Sequence, residues 1–317
     1  MKSIYIAVLT VMPSFIFGQY TYDKLQVNFL NNETEAKTFT YENLRLYPIH
    51  AKEAFKKEFN DVGNYMPLKE AMKKGKVKIT EKGNGASVNE LWVENLSNDT
   101  IIIIPGEIVK GGKQDRIIDK DILLKPKSGK VSLPVFCVES GRWSYHAYTK
   151  PEFNTHYDMG AQSLRKTVEK KADQQEVWSK VDEINSKNKT ETNTKTYTAV
   201  TNSADFDKKM NAYLNFFKAK FNSDNEVIGV VIATGDKVIG CDMFATNALF
   251  RQNFENLLHG YATEAIISGQ KVNVSSNAVK SYMDKLLVDE KTQEQTLKEK
   301  GNKFEEKGKK LRVTSFD

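Results

Sequence analysis

The apolar residues of this chain change their spacing part-way along it, and that change limits the fold more than any other feature of the sequence. In the first half, short apolar runs alternate with polar residues and stop at turn-forming residues, as half-buried β-strands do. From Ser163 onward, apolar residues recur every three to four positions, as on one face of an amphipathic helix. The sequence therefore predicts an α+β fold with a β-rich N-terminal half and a helix-rich C-terminal half.

The first half is predicted to form a sandwich-like or bent antiparallel sheet. Its predicted strands are 25–29, 39–47, 77–80, 91–94, 100–104, 117–124 and 131–138. Pro48 is expected to end the second strand, because proline cannot donate a hydrogen bond to a sheet. A short helix is predicted over 67–72, with Pro67 in its first turn and Gly75 just past its end.

The second half is predicted to be mainly helical around one hairpin. The predicted elements are one or two helices between Ser163 and Ile184, a helix with an apolar stripe from Phe206 to Phe221, a hairpin of 227–233 with 238–243, helices over 247–267 and 279–287, a solvated helix within 290–310 and a possible edge strand at 311–316.

These elements predict a division of the chain into five parts. The parts are a signal peptide at 1–18, a β-rich domain at 19–184, an exposed linker at 185–203, an α+β region at 204–289 that packs on the first domain, and a charged tail at 290–317.

The first residues have the pattern of a secretory signal peptide. Lys2 precedes an apolar run over 4–17, and Gly18 and Gln19 follow it. The run is shorter than the ~20 residues that a membrane-spanning helix needs. We expect export from a bacterium to the periplasm or the exterior, with no stable membrane span after cleavage. An uncleaved N-terminal anchor is the alternative.

Charge and cysteine content exclude some classes of protein. The net charge of +6 comes from 47 Lys and Arg against 41 Asp and Glu, and the excess is scattered lysine. A nucleic-acid partner is not expected, because such proteins present basic residues as a stripe or within a recognisable module. With two cysteines the chain is no disulfide scaffold. Cys137 and Cys241 could pair with each other or remain two buried thiols.

Polar side chains concentrate between Pro105 and Trp143, among strand-like apolar runs. Buried polar groups are costly unless they are paired or used, so we expect a functional site in this segment. The stretch 106–113 does not match a phosphate-binding loop, since Lys113 is followed by Gln114 and not by Ser or Thr. A glycine turn or bulge is predicted there instead.

Glu107 and Glu139 each follow an apolar run and are the candidate catalytic residues. If their strands are neighbours, the two carboxylates could share a pocket as the acid and the base of a hydrolysis. The alternative is that each carboxylate forms an ion pair, Glu139 with Arg142 and Glu107 with Arg116.

Candidate ligand-binding residues occur in the same segment. An arginine fork suits phosphate or carboxylate, and a tryptophan face suits a ring or a sugar. We therefore expect an anionic ligand that also carries a ring or a sugar, bound by Lys113, Gln114, Arg116, Arg142 and Trp143. The aromatic residues between Tyr145 and Tyr157 could extend this pocket or could form a loop on the sheet.

Other kinds of chemistry have weak support in the sequence. His146, His156 and Asp158 impose no ligand geometry, so no metal site is predicted. Cys137 has no histidine at a spacing diagnostic of a nucleophile. The cofactor and the oligomeric state stay open.

The central segment resembles a known domain family. The residues that carry the resemblance are Gly106-Glu107, Gly111-Gly112-Lys113-Gln114-x-Arg116 and Pro134-Val135-x-Cys137-x-Glu139-x-x-Arg142-Trp143. Over roughly 41–267 the chain is similar to the family described as ADP-ribosylglycohydrolase- and rhodanese-phosphatase-superfamily-associated proteins. The resemblance implies an association with enzymes of NAD and ADP-ribose metabolism, and hence an ADP-ribose-like ligand. The export signal and the charged tail are departures from it.

Two kinds of function fit these observations. The first is a hydrolase of ADP-ribose-like or phosphorylated sugar compounds, in which Glu107 and Glu139 are the acid and the base. The second is a non-catalytic periplasmic or surface module that binds a ligand or another protein.

Overall fold

The structure of the protein, a computed structural model, describes residues 20–83, 88–142, 151–190 and 192–317. The fold is α+β, as predicted, with antiparallel strands in the first half and most of the helical residues in the second. The predicted signal peptide at 1–18 lies outside the described residues. Among the helices that the structure describes, none has the length and apolar character needed to cross a membrane.

The secondary-structure elements have the following bounds. The strands are β1 (Leu25–Val27), β2 (Thr40–Tyr41), β3 (Leu44–Ala51), β4 (Met66–Pro67), β5 (Val77–Glu81), β6 (Glu90–Asn95), β7 (Ile101–Ile103), β8 (Glu107–Gly111), β9 (Arg116–Ile118), β10 (Ile122–Leu124), β11 (Gly129–Cys137), β12 (Phe153–Met159), β13 (Val227–Thr234), β14 (Lys237–Phe244), β15 (Gly301–Glu306) and β16 (Lys309–Phe316). The helices are α1 (Glu33–Thr38), α2 (Glu53–Glu58), α3 (Leu68–Lys73), α4 (Gln162–Lys171), α5 (Gln174–Lys187), α6 (Ala204–Asn222), α7 (Asn247–Ile267), α8 (Ser276–Leu287) and α9 (Glu290–Lys300), with a 3-10 helix at Tyr197–Asn202.

The described strands form three sheets. The largest has the order β1-β3-β13-β14-β16-β15, with β2 paired to β3, so it joins strands from both ends of the chain. A six-stranded sheet has the order β12-β8-β9-β11-β6-β5, and a three-stranded sheet has the order β10-β7-β4. Within the described residues, the strands pair antiparallel except β4 with β7.

The elements of the second half lie where the apolar pattern placed them. Helix α7 has the predicted bounds, and Thr246 caps it by accepting a hydrogen bond from the amide of Leu249. Helix α6 carries the predicted apolar stripe on its buried face, and Ser203 caps it. The predicted hairpin is β13 with β14, and every residue of β13 is buried. A fully apolar run of this kind is typical of a strand in the middle of a layered fold.

Two predictions about strands are wrong. Pro48 does not end a strand but lies inside β3, because its fixed φ suits extended backbone and its carbonyl still accepts from the amide of Asn28 at 2.9 Å. The charged segment 290–310 is α9 followed by strand β15, and the last strand, β16, lies between β14 and β15 rather than at the edge. Lysine and glutamate on an exposed edge strand gave β15 no apolar pattern to recognise.

The predicted linker 185–203 is exposed only in part. Its first residues complete α5, and Tyr197, Ala199 and Val200 are buried. The amide of Tyr197 donates to the carbonyl of Val138 at 2.8 Å, which ties this stretch to the end of β11. A domain boundary here stays a prediction, although strands from both halves share one sheet and one apolar core.

A buried charge pair joins α4 to the large sheet. Arg165 donates two hydrogen bonds of 2.9 Å to the carboxylate of Asp242, which also accepts from the hydroxyls of Tyr261 and Thr314 at 2.6 Å each. Burial by itself would raise the pKa of Asp242, but the attraction of the Arg165 guanidinium outweighs it, and the pKa is lowered.

A second buried arginine extends this network. Arg312 donates to Asp121 at 2.8 and 2.9 Å and lies 3.3 Å from Glu169. With Arg165 and Asp242, the network holds two arginines and two aspartates, so Glu169 is the surplus carboxylate. Burial raises the pKa of Glu169 in spite of the two guanidinium groups.

Candidate functional site

A polar cavity of about 440 Å³ lies at one end of the six-stranded sheet. It is found where the turn between β8 and β9, the residues after β11 and the chain before the 3-10 helix meet. We name it the Arg142 pocket; its lining residues are Lys110, Gly111, Asp115, Glu139, Arg142, Glu152, Asn154, Thr155, Thr196 and Thr198. Its volume falls in the range of small-molecule sites.

The predicted glycine turn shapes this pocket. Gly111 and Gly112 have φ values of +136° and +51°, which favour glycine. A Cβ atom on Gly111 would lie 2.6 Å from the carbonyl oxygen of Glu152, the residue just before β12. The amide of Gly111 donates to Oδ1 of Asp115 at 3.2 Å, so the turn directs Asp115 back towards its own start.

Arg142 lies between two carboxylates of the pocket. Its Nε is 2.8 Å from Oε2 of Glu139, and its Nη2 is 3.1 Å from Oδ1 of Asp115. Nη2 also donates to the carbonyl of Gly111 at 3.0 Å. The Glu139–Arg142 ion pair that the sequence suggested as an alternative is therefore present. The arginine side chain remains 24% exposed, which lets it reach a ligand.

Asp115 connects three segments of chain around the pocket. Its Oδ2 accepts from the hydroxyls of Thr196 at 3.1 Å and Thr198 at 3.2 Å, and its amide donates to Oε2 of Glu139 at 3.1 Å. Because the two threonines come from the stretch before and within the 3-10 helix, this one buried carboxylate fixes that stretch to the β8–β9 turn.

Gln114 and Lys113 support the pocket from outside its lining. The side-chain amide of Gln114 is buried and donates to the carbonyl of Glu139 at 2.5 Å. The backbone amide of Lys113 donates to Oε1 of Glu81 at 2.8 Å. These contacts hold the turn in place.

Arg116 does not reach the pocket. Its side chain has no exposed surface, donates to the carbonyl of Gln114 at 2.7 Å and lies 3.5 Å from Glu81. The predicted pair of Arg116 with Glu107 does not form, because Glu81 takes that place.

Glu107 and Glu139 are not brought together. Strand β9 separates β8 from β11, and the register places Glu107 about 13 Å along the strands from the level of Glu139. Glu107 is buried and accepts from the amide of Ile104, from Asn256 at 3.0 Å, and lies 2.9 Å from Nε2 of His156. It is a structural anchor between β8, β12 and α7.

The other predicted participants have varied positions. Trp143 and the aromatic residues at 145, 146 and 148 lie outside the described residues. Phe153, His156 and Tyr157 belong to strand β12, which was not predicted. Cys137 and Cys241 are both free, buried thiols, and burial raises the pKa of each. In the described ranges, no group of three or more His, Cys, Asp or Glu side chains could hold a metal ion.

Comparison with models of protein families shows to which family this chain belongs. The model of the ARPP-1 domain, the ARG and Rhodanese-Phosphatase-superfamily-associated Protein domain, matches residues 34–315. The chain belongs to the ARPP-1 family. A search of curated proteins and a search of solved structures find no match. The match confirms the family that the central motif suggested.

The ARPP-1 domain contains pocket residues that the sequence reasoning missed. Asp115 stands inside the central motif, between two residues that were singled out, and a polar residue in a glycine turn was the available signal. Thr196 and Thr198 gave no local signal, because they belong to a polar stretch without periodicity. Only the folding of that stretch onto β11 brings their hydroxyls to Asp115.

Proposed function

We propose that this ARPP-1 protein binds a small ligand that contains a sugar and phosphate groups, such as ADP-ribose, in the Arg142 pocket. The observation that carries the proposal is the arginine held between Glu139 and Asp115 at the wall of a polar cavity. An arginine fixed in this way loses little side-chain freedom when a ligand binds.

The chemistry of the lining supports a ligand with both kinds of group. Lys110 can contact a phosphate placed beside the pocket, and Arg142 with the threonine, asparagine and carboxylate side chains can contact sugar hydroxyls. The family description names an association with ARG proteins. Extended to this chain, that association supports an ADP-ribose-like ligand.

A binding function without catalysis has more support than hydrolysis. The two-carboxylate mechanism cannot use Glu107, because Glu107 lies at the other end of the strands. Asp115 cannot replace it as the second carboxylate, because it already accepts four hydrogen bonds. One observation favours hydrolysis as the second candidate: Oε1 of Glu139 makes no hydrogen bond to any described residue, and could activate a water.

We propose further that the protein is exported and acts in the periplasm or outside the cell, as its first residues suggest. Its ligand would then be a compound present in that compartment. A role as a protein-interaction module becomes the best alternative if no small ligand binds.

Titration calorimetry of the mature chain with ADP-ribose tests the binding. We expect Arg142→Ala to weaken the affinity at least about tenfold, since a charge-assisted hydrogen bond is lost. Arg251→Ala is the matched control, because Arg251 contacts Asn225 and does not line the pocket. Equal affinity in the two variants, or no binding by the wild type, would contradict the proposal.

Product analysis separates binding from hydrolysis. If the protein is a hydrolase, Glu139→Gln removes turnover of ADP-ribose, whereas a folded Glu107→Gln protein keeps it. If the protein only binds, no product forms with the wild type although the ligand stabilises it by mass action.

A further inference from the structure

The hydrogen-bond pattern of the Arg142 pocket indicates which part of a ligand it can recognise. A threonine hydroxyl carries one proton, and a carboxylate has acceptor oxygens only. The hydroxyls of Thr196 and Thr198 both lie within hydrogen-bond distance of Oδ2 of Asp115, at 3.1 and 3.2 Å. With their protons directed to Asp115, the oxygen of Thr196 uses one lone pair to accept from the amide of Thr198 at 3.2 Å and keeps the other, and the oxygen of Thr198 keeps both. Both residues line the cavity, so these lone pairs can accept from a ligand.

The donors of Arg142 are mostly engaged within the protein. Nη2 donates to Gly111 and Asp115, and Nε lies against Glu139. Nη1 has no hydrogen-bond partner among the described residues, so it is the nitrogen that can serve a ligand. Oε1 of Glu139 likewise has no such partner and offers an acceptor. Beside Arg142, the pocket therefore presents both a donor and acceptors to a ligand.

The charges of the lining point the same way. Glu152 forms an ion pair with Lys78 at 3.2 Å, which leaves Lys110 and Arg142 facing the carboxylates of Asp115 and Glu139. A phosphate group carries acceptors only, so inside the pocket it would compete with Asp115 and Glu139 for Arg142. An ammonium group carries donors only; it could bind Glu139 but would leave Nη1 of Arg142 without an acceptor. A pair of hydroxyls fits, since each can donate to Glu139 or a threonine and accept from Nη1.

We infer that the Arg142 pocket recognises the vicinal hydroxyls of a furanose sugar, with the phosphate groups of the ligand outside it. This inference rests on the proposed function and gives the part of the ligand that determines affinity. Asp115 acts as a positioning residue, because it orients both threonines and Arg142 and has no free acceptor of its own for the ligand.

Three probes test the inference on the wild-type protein. Titration calorimetry compares adenosine, which has the 2′,3′-diol, with 2′,3′-dideoxyadenosine and with inorganic pyrophosphate. We expect adenosine to bind at least about tenfold more tightly than the dideoxy compound, a difference typical of a lost hydrogen-bonded hydroxyl. Pyrophosphate should neither bind in this range nor displace ADP-ribose.

The outcomes separate this inference from the function on which it rests. Suppose that ADP-ribose binds, that the two nucleosides bind with equal affinity and that pyrophosphate displaces ADP-ribose. The site then recognises phosphate, so the inference fails and the proposed function stands. If ADP-ribose does not bind, both fail.

A threonine variant checks the location. Thr196→Val should weaken the affinity for adenosine about tenfold and leave the affinity for the dideoxy compound unchanged. Thr196→Ser should keep the wild-type preference for adenosine. Thr167→Val is the matched control, because its hydroxyl donates to the carbonyl of Ser163 at 3.1 Å and lies outside the pocket. An equal loss for both nucleosides would show a general disturbance and overturn the assignment to Thr196.

Discussion

At the scale of single residues, Asp242 and Glu169 illustrate how burial gives two carboxylates of one network different roles. Asp242 balances Arg165 and accepts four hydrogen bonds, whereas Glu169 is the carboxylate in excess of the two arginine–aspartate pairs. We therefore expect Asp242→Asn to lower the free energy of unfolding by about 3–5 kcal/mol, since Arg165 loses the carboxylate that accepts two of its hydrogen bonds and Glu169, 3.8 Å away, does not replace it. Glu169→Gln should change it by less than about 1 kcal/mol. Urea unfolding at neutral pH measures both, and equal costs would contradict the charge balance.

The same residue predicts a pH dependence. The pKa of Asp242 is lowered in the fold from its ordinary value of 3.8, so the ionised carboxylate stabilises the fold above about pH 4. That contribution is lost as the pH falls below 4 towards the folded-state pKa. Between pH 6 and pH 3, the wild type should thus lose more unfolding free energy than Asp242→Asn. Parallel losses in the two proteins would argue against this source of acid sensitivity.

At the scale of elements, the β8–β9 turn links fold to site. Gly111→Ala should lower the free energy of unfolding by about 1–3 kcal/mol and weaken ligand binding, because a Cβ atom would collide with the backbone of Glu152 and displace Asp115. Gly75→Ala is the control: its φ is +63°, but a Cβ atom there meets nothing within 4 Å. Thermal unfolding and calorimetry of both variants test this. Equal effects of the two substitutions on ligand binding would show that the β8–β9 turn does not contribute to the site.

How far the sequence predicts an element depends on whether its signal is local. Helix α7 and the β13–β14 hairpin follow from apolar periodicity and a Thr-Gly-Asp-Lys turn, which the chain carries within a few residues. The edge strand β15 and the 3-10 helix have no such pattern. They are stabilised by contacts with other segments of the chain. The same holds for the site. The glycine turn and the Glu139–Arg142 pair form between residues that are close in sequence, whereas Asp115 and Thr198 are distant in sequence and come into contact only when the chain folds.

At the scale of the whole molecule, the large sheet makes the two halves of the chain interdependent. Strand β3 from the N-terminal half pairs with β13, and one apolar core contains residues from both halves. We expect calorimetric unfolding of the mature chain as a single transition, with the calorimetric and van't Hoff enthalpies in agreement. Two resolved transitions would favour the separate domains that the sequence suggested.

The proposed export also belongs to the scale of the whole molecule. If 1–18 is a signal peptide, the chain recovered from a bacterial host begins near Gln19 and appears in the periplasmic or extracellular fraction. Mass spectrometry of the intact protein from each fraction tests this. Recovery of the full-length chain in the membrane fraction would favour an uncleaved anchor.

The central claim is that a sugar-containing ligand binds in the Arg142 pocket. A crystal structure of the mature chain with ADP-ribose tests it most directly. The account predicts electron density for a ribose between Arg142, Glu139 and Thr196, with its hydroxyls within hydrogen-bond distance of them. Density for the ligand at another surface, with this cavity holding only solvent, would contradict it.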